Sequence, residues 1–137
     1  MKNLKTFLRA TTLLFIFAAF ISCSSDDDSS GTPAPTPSSR NVKYTVTGTA
    51  TGNFSIIYIS ATGGGTNETY AALPYSKEFT AQSNVPSVSF TSGVTGAVPG
   101  QTMTAKIFIG GDLKREISGV VDANGTLVVS PQSYIFE

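Results

Sequence analysis

Apolar and polar residues alternate along most of the chain after Arg40. Val42, Tyr44 and Val46 are interleaved with Lys43, Thr45 and Thr47, the period of two that marks a half-buried strand. Thr102 to Ile109 repeats the pattern, with Met103, Ala105, Ile107 and Ile109 set against Thr102, Thr104, Lys106 and Phe108. Between them Phe54-Ser55-Ile56-Ile57-Tyr58-Ile59 is apolar on both faces, which predicts a strand at the centre of a sheet. Shorter strands are predicted over 68–71, 75–81 after Pro74, 85–92 with Val88 and Phe90 on one face, 112–121 and 126–129. No segment of this region sustains an apolar repeat of 3.6 residues, so no helix is predicted.

The breaks between these runs are turn chemistry. A Gly-Thr-Ala-Thr-Gly stretch occupies 48–52, Gly63-Gly64-Gly65 forms a loop, and Gly110-Gly111 is a two-residue hairpin signal. Asn124-Gly125 is the strongest turn signal and reads as a hairpin returning into Thr126. Seven to eight short strands about ten residues apart, with no room for crossover helices, predict an all-β, antiparallel two-sheet sandwich of immunoglobulin-like architecture.

The first 39 residues follow another pattern. Lys2, Lys5 and Arg9 precede an apolar run from Leu13 to Ile21, about half the ~20 residues that a membrane-spanning helix needs. Phe20-Ile21-Ser22-Cys23 follows at once and resembles a lipobox, with Phe20 where Leu is usual. The expected organisation is a signal peptide over 1–22, cleaved before Cys23, then a lipidated Cys23 opening a linker over 23–39, then a β domain over 40–137. The lipid (diacyl, with palmitate-type chains) would hold the protein to the membrane, since each buried CH₂ contributes about 0.8 kcal/mol and two chains suffice.

Ser25, Asp26, Asp27 and Asp28, close behind that cysteine, resemble the export signal of surface lipoproteins in Bacteroidota-type bacteria. That resemblance implies an outer-membrane lipoprotein displayed on the cell surface; a periplasm-facing anchor is the alternative. Pro33, Pro35 and Pro37 favour an extended stalk reaching on the order of 50 Å at ~3.1 Å per residue.

Composition removes several function classes. The 98 residues from Arg40 to Glu137 carry six basic and six acidic side chains, so no electrostatic footprint for nucleic acid exists there. The sequence has no histidine and one cysteine, Cys23. Histidine acid–base catalysis, a cysteine nucleophile within the domain, the usual zinc ligand sets and an internal disulfide are therefore all unavailable.

Two stretches carry a family resemblance. Val42-Lys43-Tyr44-Thr45-Val46-Thr47-Gly48, with Leu73-Pro74-Tyr75-Ser76-Lys77 some 25 residues later, resembles the opening of the MmpS family. Those proteins are small membrane-anchored accessories of mycobacterial MmpL transporters. Thr104-Ala105-Lys106-Ile107-Phe108-Ile109-Gly110-Gly111 resembles the family's later Ile-x-Val-Asp-Gly hairpin. The resemblance implies a small β-sandwich outside the membrane and a transport partner. The chain departs from the family in its lipid anchor, where members have a transmembrane helix, and in lacking a cysteine pair.

The remaining chemistry is sparse. Ser76-Lys77 is a candidate Ser/Lys dyad, and Lys114-Arg115-Glu116 a candidate anion patch. Asp112, Glu116 and Asp122 are candidate calcium ligands, although no Asp-x-Asp-x-Asp-Gly loop is present. Asn53, Asn67 and Asn124 begin Asn-x-Ser/Thr sequons, which have no expected use in a bacterial lipoprotein.

The expected function is a non-catalytic accessory or binding module for an envelope or transport partner, with no cofactor and no metal. The alternative is a glycan- or small-ligand-binding, adhesin-like lipoprotein using exposed Tyr58, Tyr70, Tyr75 or Phe108. Aromatics clustered and exposed on one face favour the alternative; buried or scattered ones favour the accessory module.

Overall fold

The computed structural model describes residues 38–137, and these form strands and turns without a helix. The expectations resting on Cys23, on Ser25, Asp26, Asp27 and Asp28, and on the rest of the segment up to residue 37 lie outside the described residues. Eight strands build two four-stranded antiparallel sheets. One holds β1 (Asn41–Gly48), β4 (Tyr75–Thr80), β7 (Thr102–Ile109) and β8 (Asp112–Val120) in the order β4-β1-β7-β8. The other holds β2 (Asn53–Ile59), β3 (Gly65–Tyr70), β6 (Phe90–Thr95) and β9 (Thr126–Val129) in the order β3-β2-β6-β9. The expected antiparallel two-sheet sandwich of seven to eight strands is thus present with eight, in this strand order. A separate two-stranded ribbon pairs β5 (Ser87–Val88) with β10 (Tyr134–Ile135).

Alternation decides which side chains meet between the sheets. Val42, Tyr44 and Val46 from β1 and Met103, Ala105, Ile107 and Ile109 from β7 are buried against Phe54, Ile56 and Tyr58 from β2 and Phe90 and Val94 from β6. The four central strands therefore supply most of the core, because only they are covered along their whole length. Tyr44 lies at its middle: its ring meets Tyr58, Phe79 and Phe90 at 5.9, 5.4 and 4.8 Å, and its hydroxyl donates to the Ile59 carbonyl at 3.1 Å.

Gly48 ends β1 with φ +145°, where a Cβ would drive into the Thr102 carbonyl of the neighbouring strand. Only glycine fits there. Arg40, at the other end of β1, closes the 81–86 loop: its guanidinium donates to the carbonyls of Ala81 at 3.2 Å, of Gln82 at 2.7 Å and of Val85.

The strand β2 is central in its sheet, as its apolar run predicts, and one of its faces is covered: Ile56 is fully buried while Ile57 is 57% exposed. A two-layer sandwich leaves each sheet an outer face, and Ile57 lies on one. Two local expectations are corrected. The run over 85–92 is broken at Ser89. Its first half leaves the sheet to pair with Tyr134 and Ile135, and Phe136 donates its N–H to the Pro86 carbonyl at 2.9 Å.

The other correction is that the Asn124-Gly125 turn closes no hairpin. Chain direction reverses there, but β9 pairs with β6 in the opposite sheet, Thr95 facing Thr126 and Val94 facing Leu127. The Asp122 carboxylate accepts from the backbone N–H of Asn124 and of Thr126, both at 2.9 Å, and from the Thr126 hydroxyl at 2.9 Å. Backbone bonds close the same turn, Gly125 N–H donating to the Asp122 carbonyl at 3.1 Å and Asp122 N–H to the Thr126 carbonyl at 2.9 Å, and beyond it the chain enters the other sheet.

Candidate functional site

The two edge strands β3 and β4 are joined by residues 71–74 and lie along the same side of the sandwich, one from each sheet. Alternation points Thr66, Glu68 and Tyr70 inward from β3, and Tyr75, Lys77 and Phe79 inward from β4. Two charged side chains thus face the interior, each half-exposed at the seam. Inward charges on edge strands are one way that sandwiches discourage pairing with another chain.

Glu68 is the hub of this seam. One of its oxygens, Oε1, accepts from the Tyr58 hydroxyl at 2.7 Å and from Lys77 Nζ at 2.9 Å. The other, Oε2, accepts from the Tyr75 hydroxyl at 3.3 Å. Lys77 Nζ also sits 5.4 Å from the centre of the Tyr58 ring. The row continues through stacked rings, Tyr75 on Tyr70 at 4.4 Å and Tyr70 on Phe54 at 5.0 Å. Tyr70 shares a hydrogen bond of 2.8 Å with the buried Ser92 hydroxyl, which donates to the Ser55 carbonyl at 3.0 Å. Since Ser92 has one hydrogen, Tyr70 is the donor in that pair.

The charge states follow from these contacts. The Lys77 ammonium, then the Tyr58 hydroxyl, hold the Glu68 carboxyl below the usual carboxylate range. The hydrogen bond to Glu68 raises Lys77 above its ordinary value. Burial, with the Glu68 charge beside it, pushes the Tyr75 hydroxyl up to about 12. Burial lifts Tyr70 above an ordinary tyrosine, and burial, with Tyr58 beside it, does the same for Tyr44 in the core. A lysine serves as a general base only where it is deprotonated near neutral pH, free to accept a proton. Lys77 is held in the opposite state.

The candidates drawn from the sequence separate accordingly. Ser76 and Lys77 do not form a dyad: Ser76 points outward opposite Thr45, whereas Lys77 points inward opposite Tyr44. Lys114 and Glu116 do not combine into an anion patch, because each has its own partner, Asp112 at 3.3 Å and Lys106 at 3.3 Å. Arg115 turns to the other side and lies 5.8 Å from the Tyr134 ring. Asp112, Glu116 and Asp122 stay apart, and among the described residues no group of three acidic side chains is placed to hold a metal ion.

Asn53, Asn67 and Asn124 are all exposed. Of the aromatics, Tyr58 is buried, Tyr70 and Tyr75 are half-buried in the seam, and Phe108 stands half-buried on the opposite outer face. They do not make one exposed cluster.

Sequence reasoning missed Glu68 as a partner of Tyr58, Tyr75 and Lys77, and it missed the clamp made by Arg40. A lone acidic and a lone basic residue at inward positions of two successive edge strands was the available signal. No protein-family model and no curated protein matches this sequence.

Proposed function

We propose that the chain is a lipid-anchored, non-catalytic envelope protein whose β-sandwich is an accessory or binding module for another envelope component, in the manner of the MmpS proteins it resembles. The observation that carries this reading is the fate of the tyrosines. The hydroxyls of Tyr58, Tyr70 and Tyr75 are spent on Glu68 and Ser92; the rings of Tyr70 and Tyr75 stack on each other, and that of Tyr58 packs on Tyr44 and Phe79. What the domain offers a partner is therefore strand edges and sheet faces, the means by which small β modules join other proteins.

The stretches that resemble the family fall on β1, on the start of β4 and on the β7-β8 hairpin, all in one sheet. The anchor would attach at the end of the sandwich that holds Ser38, whose hydroxyl donates to the Glu137 carbonyl at 3.2 Å.

The test is co-purification of the full chain from detergent-solubilised membranes. Recovery of a transporter subunit supports the reading, and its reproducible absence overturns the transport partnership. Cys23→Ala tests the anchor separately: the protein should leave the membrane fraction while keeping its β-sheet circular dichroism. Protease treatment of intact cells distinguishes surface display from a periplasm-facing anchor, since complete protection removes the surface reading.

A further inference from the structure

Arg40 stands where the chain enters β1, and its guanidinium has two sets of partners. Its edges donate to the carbonyls of Ala81, Gln82 and Val85 in the 81–86 loop. Its face lies 4.1 Å from the centre of the Phe136 ring, within the range of a cation–π contact. Phe136 in turn meets the Tyr134 ring edge-on at 5.4 Å. Among the described residues no carboxylate is within ion-pair distance of Arg40. Its two sets of partners therefore belong to two different pieces of chain, the loop and the C-terminal segment.

Both pieces are lightly attached. The strands β5 and β10 pair only with each other, at Val88–Tyr134 and Ser87–Ile135, outside both four-stranded sheets. Beyond that pairing the C-terminal segment is held by Phe136 N–H on the Pro86 carbonyl at 2.9 Å and by the Ser38 hydroxyl on the Glu137 carbonyl at 3.2 Å. The loop adds Ala81 N–H on the Arg40 carbonyl at 2.9 Å and Gln82 N–H on the Ala61 carbonyl at 2.8 Å. By contrast β1 is paired along both edges, with β4 and with β7. Segments with few bonds and exposed neighbours open before such strands do. Val85 and Val88 are nevertheless buried here, so an opening would bare apolar surface.

We propose that the 81–86 loop and a strap made of residues 134–137 form one latch, which opens as a unit while both sheets stay paired, and that Arg40 is the fastener coupling its two halves. With the strap closed, the Phe136 ring covers the guanidinium face and keeps its edges aimed at the loop carbonyls. With the loop closed, those carbonyls hold the guanidinium flat for the ring. A planar fork can bond along its edges and stack on its face at once, which a lysine ammonium cannot. Each contact therefore strengthens the other, and the coupling is equal in both directions. Opening frees the Pro86 carbonyl and the β5 edge and bares Val85 and Val88, at the end of the domain where Ser38 enters. The domain so has a second state, in which an apolar strand edge that is covered in the first becomes accessible.

The test is native-state hydrogen exchange of the full chain, read at single amides by NMR. Gln82 and Val85 report the loop, Phe136 reports the strap, and the amides of β1 and β7 report the sheets. In the unaltered chain the loop and strap amides should share one exchange protection, lower than that of β1 and β7. Low urea should leave it nearly unchanged, because a local opening exposes little surface. Arg40→Gln removes charge-assisted bonds and should speed loop and strap exchange by one common factor, about tenfold or more. Phe136→Leu keeps the backbone bond to Pro86 and loses only the ring, and should speed both by about two- to fivefold. The loop's response to Phe136→Leu is decisive, since that side chain donates nothing to the loop. Loop amides indifferent to Phe136→Leu, strap and loop protections that differ in the unaltered chain, or latch amides as slow as those of β1 and β7 would each overturn the proposal.

Discussion

Ile56 and Ile57 are adjacent, chemically identical and opposite in environment, so their truncation measures the two-layer architecture directly. Ile56 is fully buried between the sheets, and Ile57 is 57% exposed on an outer face. Ile56→Ala removes three carbons from the core, worth about 0.8 kcal/mol each, or about 2.4 kcal/mol of lost transfer free energy. The cavity left among well-packed rings adds about 24 cal/mol per Å³, which brings the cost to about 3–4 kcal/mol. At about 4–8 °C per kcal/mol for a domain of this size, Tm should fall by about 12–30 °C. Ile57→Ala should change stability by less than about 0.5 kcal/mol. Urea denaturation followed by tyrosine fluorescence reads both, and an unchanged slope shows that the variant shifted stability rather than the extent of unfolding. Equal costs at the two positions would mean that both faces of β2 are covered, and the sandwich as described would be wrong.

Gly48→Ala should destabilise by about 1–3 kcal/mol or more, since it adds backbone strain and a clash with Thr102; Gly93→Ala, where a Cβ makes only ordinary contacts, should instead stabilise the domain by about 0.4–1 kcal/mol; thermal melts compare the two. Tyr44, Tyr70 and Tyr75 hold their protons more tightly when folded than the ordinary value of about 10. Their contribution is therefore complete below about pH 10 and lost as pH rises towards 12 and beyond, which denaturant midpoints measured across that range will show. Glu68 and Asp122 are lowered, so their contribution is present above about pH 4 and lost as pH falls below it. Glu68→Gln should lower the midpoint at pH 7 and flatten this acid decline, and parallel acid titrations of the two proteins check it.

The alternation of β1 and β7 was readable because each of these strands has one face to the core and one to solvent. The Gly110-Gly111 hairpin was equally readable, as its turn chemistry is local. The central place of β2 was legible, but not which of its apolar faces is covered, because an apolar residue on an outer face looks the same, in sequence, as one under a second layer. The Asn124-Gly125 turn shows a related limit. Its residues fix a reversal of direction, but which strand then pairs with Thr126–Val129 depends on the sheet that lies within reach. The seam was the least legible part, because Glu68 and Lys77 acquire meaning only when β3 and β4 come side by side from different sheets.

The amino-acid sequence by itself determined the strand periodicity, the absence of helical patterning, the turn sites and the lack of histidine and of any cysteine besides Cys23. These are properties of single residues and near neighbours, and they set the fold class. Tertiary structure alone decided which strands share a sheet, which isoleucine is core, and how Glu68 gathers Tyr58, Tyr75 and Lys77. It also brought Arg40, the 81–86 loop and Phe136 together at one end of the sandwich. Each of these joins positions far apart along the chain, and only the packing of two layers brings them into contact.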